Sequence, residues 1–408
     1  MKILFLVHQF YPKYYMGTER FTYNLALNMI KSGIDVKVIT YSFYDESYYN
    51  KEDENIIYRE TCYDNIPVIE IKHKCIPDNI KFTLNNNDVE KFALKILDIE
   101  KPDLIHLCHP MRVAPFLNSA RKLKIPYIIT LTDYFFICPK YLLLGKEGNR
   151  CNGNEYGKRC YKCCDYNENE SKNRYIEANK MLLEAERVIA PSKFVKNIFE
   201  NNFDNLNVEV INHGISLNDS KKNVKIYKKN DEINFCYAGS LYKHKGLHVI
   251  LEAFKNISNN NLQLKVYGSG VNKDYNKLIE KSVKNDSRIK VCGVYSREEF
   301  GDVLSNIDVL IVPSIWDETY CLIMYEAFTC HVPVISAEVG ALPEGIKNGF
   351  NGFTFACGNS KALAMIIDNI LKKPLILNRF KDNIKSFYVP SIEDEIISYK
   401  NIYNCIIK

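Results

Sequence analysis

Val309-Leu310-Ile311-Val312-Pro313-Ser314-Ile315-Trp316-Asp317-Glu318-Thr319-Tyr320-Cys321-Leu322-Ile323-Met324-Tyr325-Glu326-Ala327-Phe328-Thr329 is the stretch on which the fold turns. Val309–Val312 is a short, wholly apolar run stopped by Pro313, which reads as a strand buried on both faces. Ile323–Thr329 reads as a helix, and Val332–Ser336 returns to a strand. Strand, loop, helix and strand make the repeating unit of a parallel sheet.

The same alternation extends in both directions. Before this stretch lie strands at Asn234–Ala238, Leu262–Tyr267 and Ile289–Cys292, with helices at Leu247–Ile257 and Arg297–Ser305. After it, Lys361–Leu371 and Ile392–Ile407 look helical. Nearer the start, Lys2–Val7, Val36–Thr40, Leu104–Leu107, Tyr127–Leu131, Arg187–Ala190 and Val208–Ile211 read as strands. Thr18–Lys31 and Arg112–Leu123 read as helices, as does the segment that Ser192 caps and Phe199 ends. A polar, Lys/Asn-rich stretch from Ser216 to Glu232 separates the two blocks and reads as a linker. The expectation is an α/β protein of two doubly wound, Rossmann-like domains with a cleft between them. Residues 1–215 form the first and 216–390 the second, and the last helix, 391–408, packs back on the first.

Composition narrows the function. With 408 residues the chain can bury two full cores. Hydrophobic residues at 46% and charged residues at 25% are ordinary for a globular protein. A net charge of +5 is too small to make nucleic acid the expected partner. The apolar run after Met1 stops at His8 with no small-residue cleavage site, so a first strand is expected rather than a signal peptide. No apolar run is long enough to span a bilayer. A cytoplasmic protein with reduced thiols follows, peripheral contact with the inner membrane face staying open.

In doubly wound folds ligands gather at strand C-termini and helix N-termini. Met16-Gly17-Thr18-Glu19 is such a place, where Gly17 lets a ligand approach the backbone. Tyr237-Ala238-Gly239-Ser240-Leu241-Tyr242-Lys243-His244-Lys245-Gly246 is a second, a cationic loop suited to a diphosphate. In the opening stretch Glu318 and Glu326 are separated by seven residues. In one continuous helix they would stand about 12 Å apart, which suits an elongated ligand with hydroxyls at both ends. Val339–Gly345 reads as a further turn and helix start. His106 and His109 sit at the end of the Leu104–Leu107 strand, and His109 is the candidate to approach an acceptor.

Cys138, Cys151, Cys160, Cys163 and Cys164 cluster in a Gly/Asn-rich insertion near 138–165. Cys160-Tyr161-Lys162-Cys163 in a tight turn could give two thiolates to one ion. Cys138 and Cys151 would complete a structural zinc site, with Cys164 as a spare. An iron–sulfur centre and free thiols are the alternatives. Tyr134–Leu144, rich in aromatics, either shapes an acceptor pocket or packs beneath this insertion.

Together these passages resemble glycosyltransferase family 4, the retaining family with the GT-B fold. The Glu318/Glu326 element within Pro313–Ala327 is the most specific part. Lys245-Gly246, Ala190-Pro191-Ser192, Val266-Tyr267-Gly268-Ser269-Gly270 and Gly349-Phe350-Asn351-Gly352 also match. The resemblance implies a nucleotide-sugar donor (a UDP-, GDP- or ADP-sugar) in the C-terminal domain. Glu326 would bond the ribose. Lys245, with Gly239 and Ser240, would hold the diphosphate. Glu318 and the backbone at Cys321, Leu322 and Ile323 would contact the transferred sugar. Gly17 would approach the diphosphate, and Thr132 and Asp133 would lie near the reaction centre. No catalytic metal is implied. The acceptor would be a saccharide, free or lipid-linked, in cell-surface polysaccharide or glycoconjugate synthesis. Several positions depart from the family pattern. Ser240 stands for the usual Arg, Thr132 for the usual His, and Met16, Cys321, His331 and Val339 for glycines. A non-hydrolysing sugar-nucleotide epimerase and a non-catalytic nucleotide-sugar-binding partner are the rival readings.

Overall fold

In a computed structural model that describes residues 1–216, 221–296 and 299–407, the chain forms two compact units. The first comprises Met1–His213 and Ile392–Lys408, the second Gly214–Ser391.

The first unit is built on strands β1 Lys2–Val7, β2 Asp35–Tyr41, β3 Lys51–Asp53, β4 Ile56–Tyr63, β5 Ile66–His73, β6 Leu104–Leu107, β7 Tyr127–Thr130, β8 Arg187–Ala190 and β9 Val208–Val210. They form one sheet in the order β3-β4-β5-β2-β1-β6-β7-β8-β9. Pairing is parallel from β5 to β9, and β3 and β4 add an antiparallel edge. Helices α1 Gly17–Lys31, α2 Asn87–Glu100, α3 Pro115–Lys122, α4 Lys158–Cys164, α5 Glu168–Leu183 and α6 Lys193–Asn202 connect the strands. β1 is central: Ile3 to Val7 are wholly buried, as its unbroken apolar sequence requires.

The second unit repeats the plan with β10 Ile233–Ala238, β11 Leu262–Tyr267, β12 Ile289–Gly293, β13 Val309–Val312, β14 Val334–Ala337 and β15 Gly352–Phe355. The order is β12-β11-β10-β13-β14-β15, all parallel. Its helices are α7 Leu247–Lys255, α8 Lys273–Asn285, α9 Phe300–Ser305, α10 Leu322–Thr329, α11 Leu342–Gly345, α12 Ser360–Lys372 and α13 Ile376–Lys385. The final helix, α14 Ile392–Ile406, belongs to the first unit. There Tyr403 Oη meets His106 Nδ1 at 2.7 Å and Tyr399 Oη meets Thr130 Oγ1 at 2.9 Å.

The strand order reverses between β1 and β6 in one sheet and between β10 and β13 in the other. Ligand crevices open beside such reversals, at the strands' carboxyl ends.

The polar stretch 216–232 is not a free linker. Residues 217–220 lie outside the described residues, but Asn223, Lys225 and Tyr227 are packed onto the second unit. Tyr227 is buried and donates to Asp308 Oδ1 at 2.9 Å, while Lys225 Nζ reaches Asp308 Oδ2 at 2.8 Å. The buried Asp308 carboxylate needs these donors, and the polar composition supplies them. The helix expected from Arg297 is described from Phe300, residues 297–298 being outside the description. No described helix is long and apolar enough to cross a membrane.

Candidate active site

Two loops of the second unit, after β10 and after β13, are locked together. The chain leaves β10, makes a short 3-10 turn over Lys243–Lys245 and enters α7 through Gly246 at φ +77°. A Cβ on Gly246 would stand 1.9 Å from the Pro313 carbonyl oxygen. Ile315 N–H donates to the His244 carbonyl at 2.9 Å, closing the contact. Only glycine allows this approach at this backbone angle.

The contact brings Lys245 to Glu318. Lys245 Nζ, Ser314 Oγ and Trp316 Nε1 all donate to Glu318 Oε1, at 2.7, 2.6 and 2.8 Å. Lys245 Nζ also lies 4.9 Å from the Trp316 ring centroid. Glu318 is buried, and burial alone would raise its pKa. The Lys245 ammonium and the two neutral donors overcome this and hold the carboxyl below its ordinary value. The three bonds converge on one oxygen and leave Oε2 outside the set. Beside them burial and the Lys245 charge push His244 down to about 4, so this imidazole stays neutral.

Glu318 and Glu326 do not share a helix. Cys321 adopts a left-handed conformation, φ +72°, and α10 begins only at Leu322. Glu318 therefore sits in the loop and Glu326 is buried in the second turn of α10. The helical spacing is replaced by a loop that turns Glu318 back toward Lys245. Gly340, at φ +58°, braces that loop: a Cβ there would meet Glu318 N at 2.4 Å, and Ala341 N–H donates to the Glu318 carbonyl at 2.8 Å. The loop after β11 joins as well, since a Cβ on Gly268 would meet the Gly239 carbonyl at 1.9 Å. Ser240 lies in this junction, its carbonyl accepting from Tyr237 Oη at 2.7 Å.

Cys321 and His331 occupy left-handed positions, φ +72° and +60°, where glycine fits without cost. Val339 does not; the left-handed residue there is its neighbour Gly340. His331 follows the last turn of α10, the usual site of a glycine stop. His331→Gly should raise stability by about 0.5 kcal/mol, the relief of strain exceeding the added chain entropy. A higher urea midpoint at unchanged slope is the expected result; a lower one would contradict it.

In the first unit, Gly17 opens α1 with nothing within 4 Å of an added Cβ. His109 follows β6. Its Nε2 donates to Asp133 Oδ2 at 2.7 Å and its Nδ1 accepts from Met111 N–H at 3.2 Å. Both ring nitrogens are thus engaged, and Asp133 Oδ1 accepts from Phe135 N–H at 2.8 Å. Thr132 Oγ1 donates to the Cys108 carbonyl at 2.9 Å. Under the His109 ring lies His8, centroids 3.9 Å apart, with His8 Nε2 3.4 Å from Glu19 Oε1. The sequence reading gives Glu19, inside the Met16–Glu19 stretch, no role of its own and His8 none beyond ending the first apolar run.

The residues expected to hold zinc are only partly brought together. Among the described residues no three His, Cys, Asp or Glu side chains come close enough together to hold a metal ion. Cys160–Cys164 is helical, the end of α4, rather than a tight turn. The helix leaves Cys163 exposed, while Cys160 and Cys164, one turn apart, line a small cavity with Cys138 and Cys151. None of them forms a disulfide, and burial pushes the Cys160 thiol up to about 12. Tyr134, Phe135, Phe136 and Ile137 are core residues beneath this insertion. Arg174 of α5 fastens them by donating to the Phe135 and Phe136 carbonyls.

The sequence of each unit matches a family model. Residues 15–219 match the model described as Glycosyltransferase Family 4, and residues 219–387 that described as Glycosyl transferases group 1. The chain belongs to glycosyltransferase family 4. It is therefore a glycosyltransferase, and its fold is GT-B. An uncharacterized glycosyltransferase of Methanocaldococcus jannaschii is 26% identical over 95% of this chain and 93% of its own length. A lipopolysaccharide 1,2-N-acetylglucosaminetransferase of Salmonella typhimurium is 24% identical over 42% of this chain and 49% of its own. Among solved structures, Anabaena HepE in complex with UDP and glucose superposes with a TM-score of 0.72, covering 99% of both chains at 17% identity.

Proposed function

We propose that this glycosyltransferase moves a sugar, with retention of configuration, from a nucleotide-sugar donor held by the second unit to a saccharide acceptor, free or lipid-linked. The observation that carries this is the buried Glu318 carboxylate, ionised by Lys245 and fixed by Ser314 and Trp316 at the mouth of α10. An elongated ligand with a diphosphate at its middle matches that arrangement. Lys245, with Gly239 and Ser240, would hold the diphosphate, and the backbone at the start of α10 would contact the transferred sugar. Glu326 would accept from the ribose, and Glu318 Oε2 would accept from a sugar hydroxyl. Gly17 would give a second approach to the diphosphate, and Thr132 and Asp133 would border the acceptor. Relatives involved in lipopolysaccharide and capsule synthesis favour a cell-surface polysaccharide product.

In the step itself the acceptor oxygen forms a bond to the anomeric carbon on the face from which the diphosphate departs. The carbon–phosphate-oxygen bond breaks, and the departing phosphate oxygen takes the acceptor proton. The chain supplies no nucleophile in this route. Its contribution is positioning, and stabilisation of charge on the leaving group.

The test is product analysis. With UDP-, GDP- and ADP-sugars and saccharide acceptors, proton NMR of the fresh product should show a new glycosidic bond with the donor's anomeric configuration. An inverted product would overturn the retaining step. Interconversion of the sugar nucleotide without acceptor would favour the epimerase instead.

A further inference from the structure

Three loops meet at the carboxyl edge of the first sheet, where β2, β1 and β6 lie side by side. They bring together His8 after β1, Lys13 before α1, Phe43 after β2 and Arg112 after β6. Arg112 is the anomaly. It is 8% exposed, yet no carboxylate among the described residues pairs with it. Its one hydrogen bond runs from Nη1 to the His8 carbonyl at 3.2 Å, and the buried Nε has no acceptor. The guanidinium rests 4.7 Å from the Phe43 ring centroid and 5.7 Å from that of Tyr41. Its backbone sits at φ +69°, a left-handed conformation that is unfavourable for a non-glycine residue. Of the acids on the neighbouring loops, Asp133 is bonded to His109, and Glu19 lies 3.4 Å from His8 Nε2 rather than against Arg112.

A second cation approaches the same aromatic residue. Lys13 Nζ donates to the Phe43 carbonyl at 3.2 Å and lies over the Tyr44 and Tyr14 rings, at 4.9 and 5.7 Å. Burying a guanidinium without a counter-charge and straining its backbone are both unfavourable. Together, at the ligand edge of a parallel sheet, they describe a site whose anion arrives with a substrate.

We propose that Arg112 and Lys13 bind a phosphate or diphosphate group carried by the acceptor. This rests on the transferase reading and names the acceptor's chemistry: a phosphorylated saccharide, either lipid-linked or free. A guanidinium fork bonds two phosphate oxygens at once, and a flexible ammonium such as Lys13 can take a remaining oxygen.

The test is calorimetric titration of the full chain with inorganic pyrophosphate. Wild type should show two sites. Lys245→Gln should remove the donor-side one. Arg112→Gln should weaken the other about 30-fold, and Lys13→Gln, on an exposed side chain that should not disturb folding, about 5-fold. Arg112→Lys keeps the charge and should recover only part of the loss. Equal binding by wild type, Arg112→Gln and Lys13→Gln would overturn this proposal. Loss of the Arg112-dependent site alone, with Lys245→Gln unchanged, would support it while contradicting the donor assignment. Farnesyl diphosphate and glucose 1-phosphate then compete for the Arg112 site. Preference for the first assigns a lipid carrier and for the second a soluble sugar phosphate. Competition by neither, or by glucuronate equally well, would overturn the phosphate assignment.

Discussion

Lys245→Met should lower transfer by about 10³-fold, since it removes the charge expected to stabilise the departing diphosphate. It should also destabilise the second unit by about 3 kcal/mol. The cause is Glu318, which stays buried after losing the strongest of its three donors. The two effects separate with pH. Glu318's carboxyl is held below its ordinary value of 4.5 in the folded chain. Its contribution to stability is therefore complete above that ordinary value and is lost as pH falls through the lower folded value. The variant loses the principal group that holds the carboxyl down. Its deficit should be full at neutral pH and shrink in acid, where a neutral Glu318 no longer needs the ammonium. Adding Glu318→Gln to Lys245→Met should restore most of the stability and none of the activity. A deficit independent of pH would mean that Lys245 acts by packing alone.

Gly246→Ala should be nearly as damaging, by a different route. The added methyl would stand 1.9 Å from the Pro313 carbonyl oxygen, with the chain held at φ +77°. The left-handed conformation costs about 1–2 kcal/mol, and the overlap forces the β10 and β13 loops apart at further cost. A total above about 3 kcal/mol, with a Tm fall of roughly 8 °C, is expected. The natural control is Gly349→Ala. That glycine has nearly the same angle, φ +75°, but nothing within 4 Å of a new Cβ. It should show the strain alone, and donor affinity should survive. Similar losses in the two variants would mean that the loop contact does not position Lys245.

The contrast between those glycines shows what a sequence can and cannot convey. Gly246 was legible as a helix start after a strand. That its Cα lies against Pro313, 67 positions further on, was not, because the approach depends on β10 and β13 being neighbours in the sheet. The paired strands of the parallel core were readable because apolar runs such as Ile3–Val7 carry their burial openly. The β3–β4 edge was not, since β4 alternates and much of its outer face is polar and solvated. Helix α5 was hidden for the same reason, its side chains being mostly charged or polar. The two glutamates were found by spacing, and the helix read from Ile323 already left Glu318 outside it; that the left-handed Cys321 lets the loop turn Glu318 back toward Lys245 was not readable. Ser314 and Trp316, which fix Glu318, stood inside the quoted stretch, and Trp316 is the chain's single tryptophan. Arg112 and His8 lie 104 residues apart and carry no shared pattern.

The central claim is that the second unit binds a nucleoside diphosphate through Glu326 and Lys245. Calorimetric titration of UDP, GDP and ADP into wild type and into Glu326→Ala, whose fold is checked by circular dichroism, tests it most directly. One nucleotide should bind wild type and bind the variant at least 10-fold more weakly, the loss expected for a charged hydrogen bond to ribose. Unchanged affinity in the folded variant, or no binding of any of the three to wild type, would contradict it.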